Sequence, residues 1–195
     1  MKYPIVFLIP ALMLLDYFLT VAGRQQYQRY YGQHVHLEQY EMNPVWQQSV
    51  AQDRWLNRRH IFMVVFITTL LIGLSSGTGD SFRDYFVFGA LVTVYLLIIG
   101  RHLSNILNFR YCANHPDTLN GEVHINYQAS LKASQFQVLG ILLPFAFAAG
   151  IVKSPFLYGG VTGLVMLTAV HYLWLWRYQR HKKANPTSQN AAPEK

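Results

Sequence analysis

The chain has 195 residues, of which 52% are hydrophobic, 15% aromatic and only 13% charged, with a formal net charge of +7. So few charges do not coat a soluble domain of this size, and the apolar residues fall in blocks rather than at strand or amphipathic-helix period, which excludes an ordinary soluble globular protein. In such a chain a basic excess is explained first by loop charges that set orientation in a bilayer, so no nucleic-acid partner is expected.

Crossing a hydrocarbon core of about 30 Å takes roughly 20 predominantly apolar residues. Residues 3–22, 61–77, 85–100, 136–152 and 156–176 meet this or nearly so, the second and third being short. They predict an all-α membrane protein with five transmembrane helices in one domain over residues 1–180. A cleaved signal peptide is the rival reading of residues 1–23, with Thr20 and Ala22 as small residues before the cut. Cleavage would put the following arginines on the wrong side of the charge bias, and the stretch carries Asp16, so it is kept as a span.

Between the first two spans, residues 25–40 are rich in Gln, Tyr and His without a clean period and are expected at the cytoplasmic interface. Asn43-Pro44 then signals a helix start, with Asn as cap and Pro at the first helical position, and the helix is allowed to run on into the second span. After the third span, residues 101–108 extend that helix. Leu119-Asn120-Gly121-Glu122 is a turn signal, and the alternation of Val123, Ile125 and Tyr127 with His124 and Asn126 predicts a short strand or hairpin in the second cytoplasmic loop. Pro144 predicts a kink in the fourth span. The tail, residues 181–195, carries two prolines and small polar residues and is expected to be disordered, its basic start suiting anionic lipid headgroups.

Lysine and arginine test this layout, because cytoplasmic loops retain positive charge. Arg24, Arg29, Arg54, Arg58, Arg59, Arg101, Arg110, Lys132 and the five basic residues from Arg177 onward fall in alternate segments, giving 13 on one side against Lys2, Arg83 and Lys153 on the other. The N-terminus is therefore expected outside and the C-terminus in the cytoplasm. The lone Cys112 excludes an intramolecular disulfide.

An ionisable residue inside a span is costly and normally faces the protein interior or a water-filled cavity, which singles out Asp16, with Thr20 one turn on. Asp16 and His171 each sit six residues from the cytoplasmic end of their spans, roughly 9 Å deep at about 1.5 Å per residue. Arg59, Arg101, His102 and Asn105 enter the same leaflet. These residues are expected to form one polar cluster around Asp16, with His171 and Arg101 as its first partners: depth selects His171, while charge selects Arg101, Arg59 or protonated His102. A structural ion pair and a functional site both remain open. His34, His36, Glu38 and Glu41, followed by Asn43, form a second patch of metal-binding residue types. Their spacing fits no metal motif, and a solvated polar loop with no metal is the expectation.

Asp16-x-x-x-Thr20 followed by Glu41-x-Asn43-Pro44 resembles a pattern in uncharacterised small prokaryotic multi-pass membrane proteins. The resemblance implies a site within residues 16–44 and a place in a cell membrane, the inner membrane of a prokaryote, but no chemistry and no cofactor. His115-Pro116-Asp117 is similar to the His-Pro motif of membrane methyltransferases that use S-adenosylmethionine, yet Asn114 stands where that motif has Arg, and no paired acidic residues follow in a span. No phosphate-binding glycine loop or nucleophile-elbow motif is present. Three function classes stay open: a small channel or carrier, ranked first; an accessory protein that acts through an oligomer or a partner membrane protein; and a membrane-embedded enzyme.

Overall fold

The computed structural model describes residues 7–76 and 81–184. Six helices account for most of them: α1 (Leu8–Arg29), the short α2 (Gln47–Ala51), α3 (Arg58–Ser76), α4 (Ser81–Asn114), α5 (Tyr127–Val152) and α6 (Pro155–Ala184). Two three-residue strands, β1 (Val35–Leu37) and β2 (Val123–Ile125), pair in the connecting segments. Among the described residues four helices, α3 over Arg58–Ser75, α4, α5 and α6, are long and apolar enough to cross a membrane, consistent with a multi-pass membrane protein. Residues 3–6 and Gly77, at the ends of the first and second expected spans, lie outside the described residues.

The helices are apolar on their outward faces. Leu14 and Phe18 of α1, Phe62 and Phe66 of α3, Leu96 and Leu103 of α4, Leu143 and Phe147 of α5, and Met166 and Leu173 of α6 are all exposed. A water-soluble bundle places such residues inside, so this outward apolar surface is itself evidence for an apolar surrounding.

The helices pack in the order α3, α1, α4, α6, α5. Ile9, Leu12, Met13 and Leu19 of α1 form the main core with Val64 and Leu71 of α3 and Val92 and Ile99 of α4. At the join of α4 and α6 the backbones meet directly: a Cβ on Gly89 would collide with the Phe156 carbonyl, and one on Gly159 with the Phe86 carbonyl. Small residues permit this approach, which gains dispersion contact where apolar surroundings supply no hydrophobic drive between helices.

Between α5 and α6 the chain turns in two residues. Lys153 closes α5 in the left-handed region at φ 52°, and Pro155 opens α6, a position where its missing N–H costs nothing. At its start α5 is capped twice. Asn126 Oδ1 accepts the Ala129 N–H at 2.8 Å, and Glu38 Oε2 accepts the Tyr127 N–H at 2.8 Å. A carboxylate at this end also complements the helix dipole.

Several expectations are corrected. α4 runs for 34 residues, beginning before the expected third span and continuing through the expected extension over residues 101–108 to Asn114. α5 begins at Tyr127, well before residue 136. The Val123–Ile125 strand exists but forms no hairpin. It pairs in parallel with β1, with His36 opposite His124, so its partner comes from the other loop. No continuous helix joins Pro44 to the second span: α2 stops at Ala51, Asp53 turns at φ 50° with its carboxylate bound by Arg24 at 2.5 Å, and α3 starts afresh at Arg58. The tail is helical through Ala184, and residues 185–195 lie outside the described residues.

Candidate functional site

Three helices each direct a stripe at helical spacing into one cleft: Met13, Asp16, Tyr17 and Thr20 from α1; Leu91, Val94, Tyr95, Ile98, Arg101 and His102 from α4; and Gly163, Met166, Leu167, Val170, His171 and Trp174 from α6. His60 and Met63 of α3 complete the wall, and Glu41, Asn43 and Trp46 of the connecting segment form the end. The cavity measures about 620 Å³. The volume falls in the range of small-molecule sites, and the mix of apolar walls with a few converging polar groups is their usual character.

Four of the five residues that carry the resemblance meet here, Pro44 being outside the lining. Asp16, Thr20, Glu41 and Asn43, which the sequence separates by a whole connecting segment, line the same cavity. Glu41 is held in place by its own turn, its Oε1 accepting the Asn43 N–H at 2.7 Å, while Asn43 Oδ1 accepts the Val45 N–H at 3.1 Å. Burial raises the Glu41 carboxyl above the ordinary glutamate range; the Asn43 N–H, His102 and Arg101 counter that, and Asp16 adds to it. Glu41 therefore lies within electrostatic reach of all three.

Asp16 pairs with His102, not with His171 or Arg101 as its first partner. His102 Nε2 stands 3.2 Å from Asp16 Oδ1 and 3.1 Å from Thr20 Oγ1. The Thr20 hydroxyl gives its one proton to the Asp16 backbone carbonyl at 2.9 Å, so toward His102 it accepts, which puts a proton on Nε2. That proton is aimed at Thr20, and Asp16 Oδ1 is left near the imidazole without a hydrogen bond. Arg101 instead donates from Nη1 to Ser134 Oγ of α5.

Around the cavity several buried polar atoms have no hydrogen-bond partner in the protein: Asp16 Oδ1, and Nδ1 of His60, His102 and His171. All four residues belong to the cavity lining. His171 is only 3% exposed and stacks edge-on against Trp174.

The remaining expected residues fall elsewhere. Arg59 is exposed at the start of α3 and does not line the cavity; its neighbour His60 does, with Nε2 3.2 Å from the Met13 carbonyl and its ring stacked on Tyr17 at 4.6 Å. A helix carries successive residues to different faces, and that alone decides between Arg59 and His60. Asn105 lines a second, smaller cavity of about 230 Å³ whose wall shares Glu41, Arg101 and His102 with the first. The second patch separates into three places. His34 and His36 lie at the strand surface, Glu38 caps α5 and accepts the Tyr178 hydroxyl at 3.0 Å, and Glu41 and Asn43 belong to the cavity. Tyr95, Trp46 and Ser134 are not among the expected site residues, and of these only Tyr95 carries a signal, lying two turns before His102 on the same helical face. No family model matches the chain, and neither a curated protein nor a solved structure matches it.

Proposed function

We propose that the chain is a five-span membrane carrier that takes an amphipathic solute from the bilayer into the cleft. Its polar end would bind at the Asp16, His102, Glu41 and Arg101 cluster, and its apolar part along the methionine and leucine walls. The observation that carries this reading is the cavity itself, whose lining combines Asp16, Glu41, Arg101, His102 and His171 with apolar residues of α1, α3, α4 and α6. Met63 of α3 and Met166 of α6, both in its lining, are 40% and 63% exposed. In a bilayer those exposed side chains would face lipid rather than water.

The five-span count is supported by α1, whose outward face carries the exposed Leu8, Leu14, Leu15 and Phe18. Direction supports it too. Thr20 meets His102 and Gly23 meets Ile106, so α1 and α4 run the same way, as five alternating spans require. The connecting segments that hold β1, α2 and β2 then share the face rich in arginine, which the charge rule puts in the cytoplasm.

Purified protein in liposomes, given a fluorescent single-chain amphiphile with and without a proton gradient, tests the function. Gradient-dependent movement of the probe supports a carrier. Binding with chemical conversion of the probe would replace it with an enzyme, and absence of binding together with a co-purifying partner would replace it with an accessory role.

A further inference from the structure

We infer that His36, Glu122 and His124 form a binding site for one divalent transition-metal ion of the zinc, copper or nickel class, outside the cavity. His36 and His124 are register partners across the parallel β1–β2 pair. Paired strands lie about 4.8 Å apart, so side chains in register on one face are carried side by side. Their imidazoles stack with centroids 4.6 Å apart and planes at 21°. Glu122, the residue before β2, brings Oε2 to 3.6 Å from His36 Nε2 and 3.9 Å from His124 Nε2. One donor atom from each of the three residues lies within 4.8 Å of the others.

A tetrahedral ion with bonds of about 2.0–2.2 Å to nitrogen and oxygen holds its ligand atoms roughly 3.3 Å apart. The carboxylate-to-imidazole separations exceed that edge by only about 0.3 and 0.6 Å, and the side chains of His36, Glu122 and His124 are 39%, 67% and 75% exposed. Two imidazoles and one carboxylate select first-row transition ions over magnesium or calcium, which prefer all-oxygen sites. Three protein ligands leave a further position open. None of this was available from His36 in its own segment, because both partners arrive from the other loop through the strand pairing.

The site also joins two elements with different roles. β1 leads through Glu38 to Glu41 in the cavity end, and β2 leads directly into α5. An ion bound across them fastens the segment that carries Glu41 to the start of α5.

The experiment uses tag-free full-length protein in detergent micelles, equilibrated with Zn²⁺ for stoichiometry and with Cu²⁺ for electron paramagnetic resonance. One Zn²⁺ per chain and nitrogen splitting from two imidazoles on Cu²⁺ are expected. His36→Ala and His124→Ala should each weaken binding by about tenfold or more, as loss of one ligand requires. Glu122→Gln should weaken binding while keeping the splitting from both imidazoles, and His34→Ala should leave both readouts unchanged. Absence of stoichiometric Zn²⁺ in the unaltered protein, a Cu²⁺ spectrum without two nitrogen ligands, or binding that survives both histidine variants would overturn the site and leave a stacked imidazole pair only. The spectrum of the unaltered protein decides the matter even if a variant fails to fold.

Discussion

His102 Nε2 lies 3.2 Å from Asp16 Oδ1, on the parallel neighbour of the helix that carries the carboxylate, and the two residues are directed into one cavity. If this pair is the working centre of a carrier, Asp16→Asn keeps the shape and most of the hydrogen bonding while removing the charge. Gradient-driven movement of the amphiphile should fall by about tenfold or more, with the thermal midpoint shifted by only a few degrees. A purely structural pair gives the opposite pattern: flux follows stability, and combining Asp16→Asn with His102→Gln restores part of the loss, with a coupling of about 0.5–3 kcal/mol.

Glu41 makes stability depend on pH in a stated direction. Its carboxyl is raised in the folded protein above the ordinary 4.5, chiefly by burial. The folded state therefore holds a proton that the unfolded state has released. The stabilising contribution is complete below 4.5 and is lost as pH rises through the raised folded value. Glu41→Gln should accordingly raise the thermal midpoint at neutral pH and flatten the decline above pH 4.5. An unchanged slope in the variant would mean that Glu41 is ionised and solvated in the folded protein.

Glu38 is given a structural task by its contacts: it accepts the Tyr127 N–H and the Tyr178 hydroxyl. Glu38→Ala should cost about 1–2 kcal/mol in detergent, the range for losing a helix cap, and Glu38→Gln less, since its amide oxygen still accepts. Neither variant should change Zn²⁺ binding at His36 and His124. Loss of the ion in Glu38→Gln without loss of stability would instead make Glu38 a ligand.

What the sequence showed, and what it hid, follows the range of each signal. Apolar blocks are local, so the long helices were legible, and so was the isolation of Asp16 within one of them. Helical period put Thr20 beside Asp16. Depth counting brought His171 to the same cavity but could not choose the rotation of α4, which presents His102 to Asp16 and turns Arg101 to Ser134. Asn43-Pro44 is expected to open a helix, but α2 starts at Gln47 with Trp46 as its N-cap, and nothing local announces that the chain breaks at Asp53, because that turn is stabilised by Arg24 from α1. The pairing of β1 with β2 was least legible of all. A three-residue strand has no register until its distant partner is known, and the turn signal at Asn120-Gly121 favoured a hairpin instead.

The join of α4 and α6 should tolerate no side chain at Gly159. A Cβ there would meet the Phe86 carbonyl, and backbone on both sides cannot yield as a flexible side chain does. Gly159→Ala should force the helices apart and lower the thermal midpoint, with a stability loss typical of overpacking, about 1–3 kcal/mol or more. Gly140→Ala on α5 is the control, since a Cβ there meets nothing within 4 Å and alanine favours the helix. Equal midpoints for the two variants would show that α4 and α6 do not approach this closely.

The cavity lining leads to the final prediction. Met63 and Met166 line the cavity and are 40% and 63% exposed, and Trp46 and Trp174 line it as well. In a protein lacking the other two tryptophans through Trp55→Phe and Trp176→Phe, fluorescence reports on that wall alone. Lipids brominated along the acyl chain should quench it if apolar chains enter sideways, because quenching needs close approach of the bromine. Replacing Cys112 by serine and introducing Met63→Cys with Met166→Cys then allows a reducible bifunctional reagent to bridge α3 and α6. Bridging should cut both the quenching and the movement of the amphiphile, and reduction should restore both. Quenching and movement that persist across a closed bridge would mean that solute reaches Asp16 by another route, through the smaller cavity at Asn105 that shares Arg101 and His102 with the first.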